Sequence, residues 1–154
     1  MKIAVLGTGY VGLSTGVCLA EIGHNVACID VDQKKIETLK QGKSPIYEPG
    51  LEELLSRNYA AGRLRFTTSH QEGLCEAEII MIAVGTPQSE NGRANLSFLE
   101  QAAKDLAAHI VQDSIVVIKS TVPVGTNDHF EQLLAAHLKK KVEIQMVSNP
   151  EFLR

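Results

Sequence analysis

Gly7-Thr8-Gly9-Tyr10-Val11-Gly12 carries the first chemical signal in the chain. It follows the apolar run Lys2–Leu6 and opens a segment of helical period, and in that strand–turn–helix setting the G-x-G-x-x-G spacing has a physical meaning. The first glycine allows a tight turn, the second lets a pyrophosphate lie against the backbone, and the third lets helix and strand pack closely. The helix start then offers unpaired N–H groups and the positive end of its dipole to the phosphates. Gly7, Gly9, Tyr10, Val11 and Gly12 are the expected cofactor-binding residues here. A glycine-rich turn with no ligand is the alternative, but a plain turn needs no three glycines at this spacing.

Asp30 ends the second apolar run, eighteen residues beyond Gly12. A carboxylate there accepts hydrogen bonds from the ribose of an adenosine and repels a 2′-phosphate, so the expected cofactor is NAD rather than NADP. Asp32 competes for that role, but it is better placed to cap the helix that begins at Gln33. A third group, Gly85-Thr86-Pro87, leaves the fourth apolar run. In a sheet ordered 3-2-1-4-5-6, strands one and four flank the crevice that holds a dinucleotide, so this loop would face the Gly7 turn. An ordinary strand exit is the competing reading.

These groups need elements to hold them. Short apolar runs expected as strands are Lys2–Leu6, Asn25–Ile29, Arg63–Phe66, Glu78–Val84, Ile115–Lys119 and Val142–Val147. Unbroken runs such as Ile79 to Val84 read as strands buried on both faces, the pattern of parallel sheets. Helices are expected at Val11–Ile22, Gln33–Gln41, Gly50–Ala61, Leu96–Val111 and Thr126–Lys140, the fourth with Asn95 as its N-cap. Lys139, Lys140 and Lys141 would close the last helix at the negative end of its dipole. The alternation predicts βαβ units and an α/β fold: a Rossmann-type, doubly wound, parallel six-stranded sheet in a single domain. Loops are expected at residues 44–50 and 85–94, the latter with an Asn91-Gly92 turn.

Composition bounds the function. The chain has 154 residues, 44% apolar and 21% charged, with a net charge of −3. That balance fits one globular domain and lacks the basic stripe of a nucleic-acid binder. No apolar run reaches membrane-spanning length, and the opening run is too short for a signal peptide. Cys18, Cys28 and Cys75 are too few and scattered for a disulfide framework or a zinc site, which favours a reducing cytoplasm. Cys18 and Cys28 are expected as small buried hydrophobes. The five histidines form no i, i+4 metal pair and read as surface or helix-face residues, so no metal is expected.

Further motifs carry a resemblance. Gly9-Tyr10-Val11-Gly12-Leu13, Tyr47-Glu48-Pro49-Gly50-Leu51, Val84-Gly85-Thr86-Pro87, Lys119 through Gly125 and Pro150–Arg154 follow one another in an order that resembles the NAD-binding domain of the UDP-glucose/GDP-mannose 6-dehydrogenases, in particular their bacterial UDP-glucose-oxidising members. The likeness covers essentially the whole chain. It implies oxidation of the C6 alcohol of a nucleotide sugar to a carboxylate with reduction of two NAD. The implied sequence is hydride transfer to an aldehyde, capture by a cysteine thiolate, a second hydride transfer to a thioester, and hydrolysis. By the same resemblance Thr121 and Glu151 are catalytic and cofactor-binding residues that hold and activate the hydrolytic water, and Phe152, Leu153 and Arg154 border the nucleotide sugar. Read from the residues alone, Thr121 is also a plain strand-end threonine and Glu151 a solvated loop acid.

The family's nucleophilic cysteine and its catalytic lysine, asparagine and aspartate have no counterpart here. Residues 1–154 are therefore expected as the NAD-binding domain of a longer, homo-oligomeric protein whose central helical and C-terminal substrate domains lie elsewhere, inactive when isolated. GDP-mannose and UDP-N-acetylmannosamine remain alternative substrates. A two-domain hydroxyacid dehydrogenase and a stand-alone NAD-binding module are the competing readings.

Overall fold

The computed structural model describes residues 1–89 and 92–151. Strands and helices alternate as β1 (Lys2–Leu6), α1 (Tyr10–Glu21), β2 (Asn25–Ile29), α2 (Gln33–Lys40), α3 (Leu51–Ala60), β3 (Leu64–Thr67), α4 (His70–Leu74), β4 (Ile79–Ile82), α5 (Ser97–His109), β5 (Ser114–Ile118), α6 (Thr126–His137) and β6 (Ile144–Ser148). All strand pairs are parallel, in the order β3-β2-β1-β4-β5-β6. This is the expected doubly wound α/β sheet. Its register sets Leu6 opposite both Ile29 and Ile82, so β1, β2 and β4 end level with one another. The switch in winding direction falls between β1 and β4, where open α/β sheets bind their ligands.

Side-chain alternation divides the interior into two cores. On one face Ile3, Val5, Val26 and Cys28 meet Leu13 and Val17 of α1, Ile36 of α2 and Leu55 of α3. On the other, Ala4, Leu6, Ile80 and Ile82 meet Leu99 and Leu106 of α5 and Phe130 and Leu134 of α6. Successive strand residues point to opposite faces, so each central strand feeds both cores. No helix among the described residues is long and apolar enough to cross a membrane.

Several expectations shift. The fourth strand stops at Ile82 rather than Val84, because the glycine turn crowds its end: a Cβ on Gly7 would lie 2.6 Å from the Ala83 carbonyl oxygen. α4 lies outside the expected helices. It has five residues, too few for a periodic stripe, and starts where the Ser69 hydroxyl accepts the Glu72 N–H at 3.2 Å. Asn95 precedes the cap position of α5 by one residue, although its side chain still accepts the Ser97 N–H at 3.0 Å. Lys139–141 fall beyond α6, since the chain turns extended at Leu138, with ψ 125°. Cys18 is exposed, because α1 turns Leu13, Gly16, Val17 and Ala20 inward and leaves position 18 on the far side. Cys28 is buried as expected. Asp32 caps α2, its Oδ1 accepting the N–H groups of Lys34 at 2.9 Å and Lys35 at 3.2 Å.

Candidate functional site

A cleft of about 790 Å³ opens where β1, β2, β4 and β5 end. That size lies within the range of small-molecule and cofactor sites. Gly7, Gly9, Tyr10, Val11, Asp30, Gly85, Thr86, Thr121 and Glu151 all line it, so the expected site residues converge. Gly12 and Pro87 do not line it. Gly12 sits behind the turn, where a Cβ would come 2.0 Å from the Gly7 carbonyl oxygen; its role is the close helix–strand approach. The Pro87 carbonyl closes its own loop by accepting the Asn95 N–H at 2.7 Å. Phe152, Leu153 and Arg154 lie outside the described residues, as does Asn91 of the expected turn.

The glycine turn has the form of an anion cradle. Gly9 is the N-cap of α1 with no side-chain cap, and the first turn holds no acid. The first α-helical bond runs from Leu13 N–H to the Gly9 carbonyl, so earlier N–H groups have no intrahelical acceptor. A Cβ at Gly9 would meet nothing within 4 Å, which leaves open space over those groups. Gly7 differs: its φ of +96° and its backbone contact with Ala83 both exclude a side chain. These features fit a dinucleotide pyrophosphate.

Asp30 stands beside the cradle with only 9% of its side chain exposed. Its Oδ2 accepts the Thr8 N–H at 2.8 Å and the Thr8 hydroxyl at 2.7 Å, and its Oδ1 accepts the Asp32 N–H at 3.0 Å. Lys35 Nζ lies 3.6 Å from Oδ2. Burial pushes the carboxyl pKa up, but the Thr8 hydroxyl, the two backbone donors and Lys35 outweigh it and hold the group below its ordinary value. Oδ1 retains a lone pair for a ribose hydroxyl. Together, the open space over Gly9 and this ionised acid fit NAD.

The opposite wall is tied by a relay of hydrogen bonds. The Thr86 hydroxyl donates to the Thr121 carbonyl at 3.1 Å, and the Thr121 hydroxyl donates to the Glu151 carbonyl at 3.0 Å. Lys119, at the end of β5, sets its ammonium 2.7 Å from Glu151 Oε2 and 3.4 Å from Asn149 Oδ1. Glu151 is thus a paired acid on the cleft wall rather than a free loop acid. At the mouth, the Tyr10 hydroxyl donates to Glu48 Oε2 at 2.7 Å, tying the 44–50 loop to the glycine turn. That bond, with the nearby Glu48 charge, raises the tyrosine pKa.

Sequence reasoning missed Thr8, Lys35, Lys119 and His70. Lys119 had a signal, as a charged residue closing an apolar strand at the ligand-binding edge of the sheet. His70, expected at the surface or on a helix face, lines the cleft with 16% of its side chain exposed.

The profile of the UDP-glucose/GDP-mannose dehydrogenase family, NAD binding domain, matches residues 1–154. Over the whole chain, UDP-glucose 6-dehydrogenase YwqF of Bacillus subtilis is 58% identical, and the UDP-glucose 6-dehydrogenase of Rhizobium meliloti is 46% identical. The chain spans 35% of the length of each. Among solved structures, GDP-mannose dehydrogenase from Pseudomonas aeruginosa superimposes with a TM-score of 0.94 at 38% identity, all of this chain covering 37% of that one. A UDP-glucose dehydrogenase from Pyrobaculum islandicum gives 0.92 at 40% identity, with 99% of this chain covering 36% of that one.

Proposed function

The chain belongs to the UDP-glucose/GDP-mannose dehydrogenase family through its NAD-binding domain, and from that premise we propose that it is the cofactor half of an enzyme that oxidises C6 of UDP-glucose to the carboxylate. The observation that carries this reading is the convergence of the open Gly9 cradle and the ionised Asp30 on one cleft. NAD bound there supplies the hydride acceptor. Asp30 would accept the adenosine ribose hydroxyls and exclude a 2′-phosphate. The first-turn N–H groups of α1 would hold the pyrophosphate.

Glu151 and Thr121 carry the proposed hydrolytic role. Lys119 occupies Oε2 of Glu151, and Oε1 has no protein partner among the described residues. That oxygen would orient a water and take its proton as the water attacks a thioester. The Thr121 hydroxyl fixes the Glu151 backbone. In this reading the nucleophilic cysteine and the sugar-selecting contacts, including those of a substrate domain, belong to a longer polypeptide. The full-length protein would be a homo-oligomer in the cytoplasm, where Cys18, Cys28 and Cys75 stay free thiols. GDP-mannose is the second reading for the substrate, because the Pseudomonas aeruginosa GDP-mannose dehydrogenase shares this fold so closely.

Calorimetric titration of the chain with NAD and NADP, followed by addition of UDP-glucose, tests the proposal. NAD should bind at least about tenfold more tightly than NADP, a difference of roughly 1.4 kcal/mol, and no NADH should form. Failure to bind NAD, or tighter binding of NADP, overturns it. The intact mass of the native polypeptide tests the domain assignment: a product of 16.7 kDa excludes the dehydrogenase reading and leaves a binding module.

A further inference from the structure

We propose that His70 and Asp105 read the purine edge of the bound cofactor and select adenine over a 6-oxo purine. This rests on the reading of the cleft as a NAD site. From Asp30 the cleft continues along the exit of β2 and the first turns of α5, where Val31, Phe98 and Ala102 line it. Val31 is 81% exposed and Phe98 56%, two large apolar side chains left open beside the ribose acceptor. A flat purine next to that ribose would cover them.

The same end of the cleft holds two polar groups that structural duties leave unsatisfied. Asp105 Oδ1 accepts the Gln101 side-chain N–H at 3.0 Å, but Oδ2 has no hydrogen bond among the described residues. The ring nitrogens of His70 likewise have none there. The nearest approach is Nε2 to Asp105 Oδ2 at 3.9 Å, too long for a hydrogen bond. The His70 ring is held from behind by His109, stacked at 5.9 Å between centroids. His109 Nδ1 is itself 2.8 Å from the Asp105 carbonyl, which can only accept, so that nitrogen carries the hydrogen. Burial lowers the His70 pKa against the pull of Asp105, with His109 adding to the fall, so the ring is neutral near pH 7 and bears one N–H.

The pair therefore offers the cleft a carboxylate acceptor beside an imidazole that, in one tautomer, turns its N–H donor to the purine. Adenine presents the complement, an amino donor at N6 flanked by ring-nitrogen acceptors. Held in the same pose by its ribose, hypoxanthine places a carbonyl where adenine has its amino group, so that O6 would oppose the Asp105 carboxylate, acceptor against acceptor.

Titration with NAD and with nicotinamide hypoxanthine dinucleotide measures this discrimination as a ratio, which cancels any general loss of stability. The chain should favour NAD by about tenfold or more, as expected for a matched pair of contacts to a base edge. In Asp105→Asn, Gln101 keeps an acceptor at the Oδ1 position and turns the new NH₂ toward the cleft, so the ratio should fall below about three or invert. His70→Phe retains the stacking on His109, loses the donor, and should also lower the ratio. Equal affinity of the unmodified chain for the two dinucleotides overturns the inference, as does an unchanged ratio in both variants. If neither dinucleotide binds, the NAD reading itself falls and takes the inference with it. If NAD binds without discrimination, the inference alone is lost.

Discussion

Thr8 gives Asp30 both of its donors, the backbone N–H at 2.8 Å and the hydroxyl at 2.7 Å, and both land on the same oxygen, Oδ2. Thr8 is 1% exposed, so this pairing forms inside the protein. It locks the glycine turn to the end of β2 and fixes the orientation of the carboxylate proposed to take the ribose. Asp30 thus holds the turn and, in the proposed reading, has a second duty in binding.

Asp30→Asn should separate those duties. The folded-state pKa lies below the ordinary aspartate value, so the folded chain binds fewer protons than the unfolded one as the pH falls. The stabilisation is fully present above about pH 4 and is lost as the pH drops through the lowered folded value. Asp30→Asn should cost about 1–3 kcal/mol at pH 7 and flatten the acid limb of stability. Urea melts at stepped pH check this; an unchanged acid slope counts against the Thr8 clamp.

Gly9→Ala and Gly12→Ala should have opposite effects. A methyl at Gly9 enters open space, with the backbone at an ordinary φ of −71°. Stability should stay within about 0.5 kcal/mol, while NAD affinity falls about tenfold or more. A methyl at Gly12 collides with the Gly7 carbonyl and should destabilise by about 1–3 kcal/mol or more. Thermal melts beside NAD titrations decide this, and equal melting losses in the two variants would refute it.

Thiol reactivity should follow burial. Desolvation pushes the Cys28 thiol up to about 12, while Cys18 and Cys75 are exposed. Because the thiolate is the reactive form, native alkylation at mildly alkaline pH should label Cys18 and Cys75 and spare Cys28. In urea Cys28 should react as well. Mass spectrometry with peptide mapping reads the outcome, and rapid native labelling of Cys28 contradicts the packing of β2 against Gly16.

Lys119→Met should leave Glu151 without its partner on a wall where the two side chains are only 13% and 29% exposed. The expected loss is about 1–3 kcal/mol. Glu151→Gln should cost less, since Asn149 Oδ1 remains near the ammonium. A double-mutant cycle should return a coupling of at least about 0.5 kcal/mol; additive losses would mean that the pair is not formed in solution.

The sheet, its winding and the cradle were legible in the order of the residues. Unbroken apolar runs mark strands covered on both faces, and the three glycines at 7, 9 and 12 each meet a separate backbone requirement within one short segment. Asp32 as a cap was legible because it serves N–H groups two and three residues away, and Asp30 as the acid in the cleft because it closes an apolar run eighteen residues beyond Gly12. The short α4 was not, because five residues carry no period.

What joins across the cleft depends on the folded chain. Thr8 meets Asp30, Lys119 meets Glu151, and His70 reaches Asp105 from a different helix. Parallel strands joined by helical crossovers bring residues to one sheet edge from segments some twenty to thirty-five positions apart. Their partners are then set by register and by which core each helix fills. No local period records such a meeting, so the residues that hold the acids in place, and the histidine that lines the cleft, came into view only in the fold.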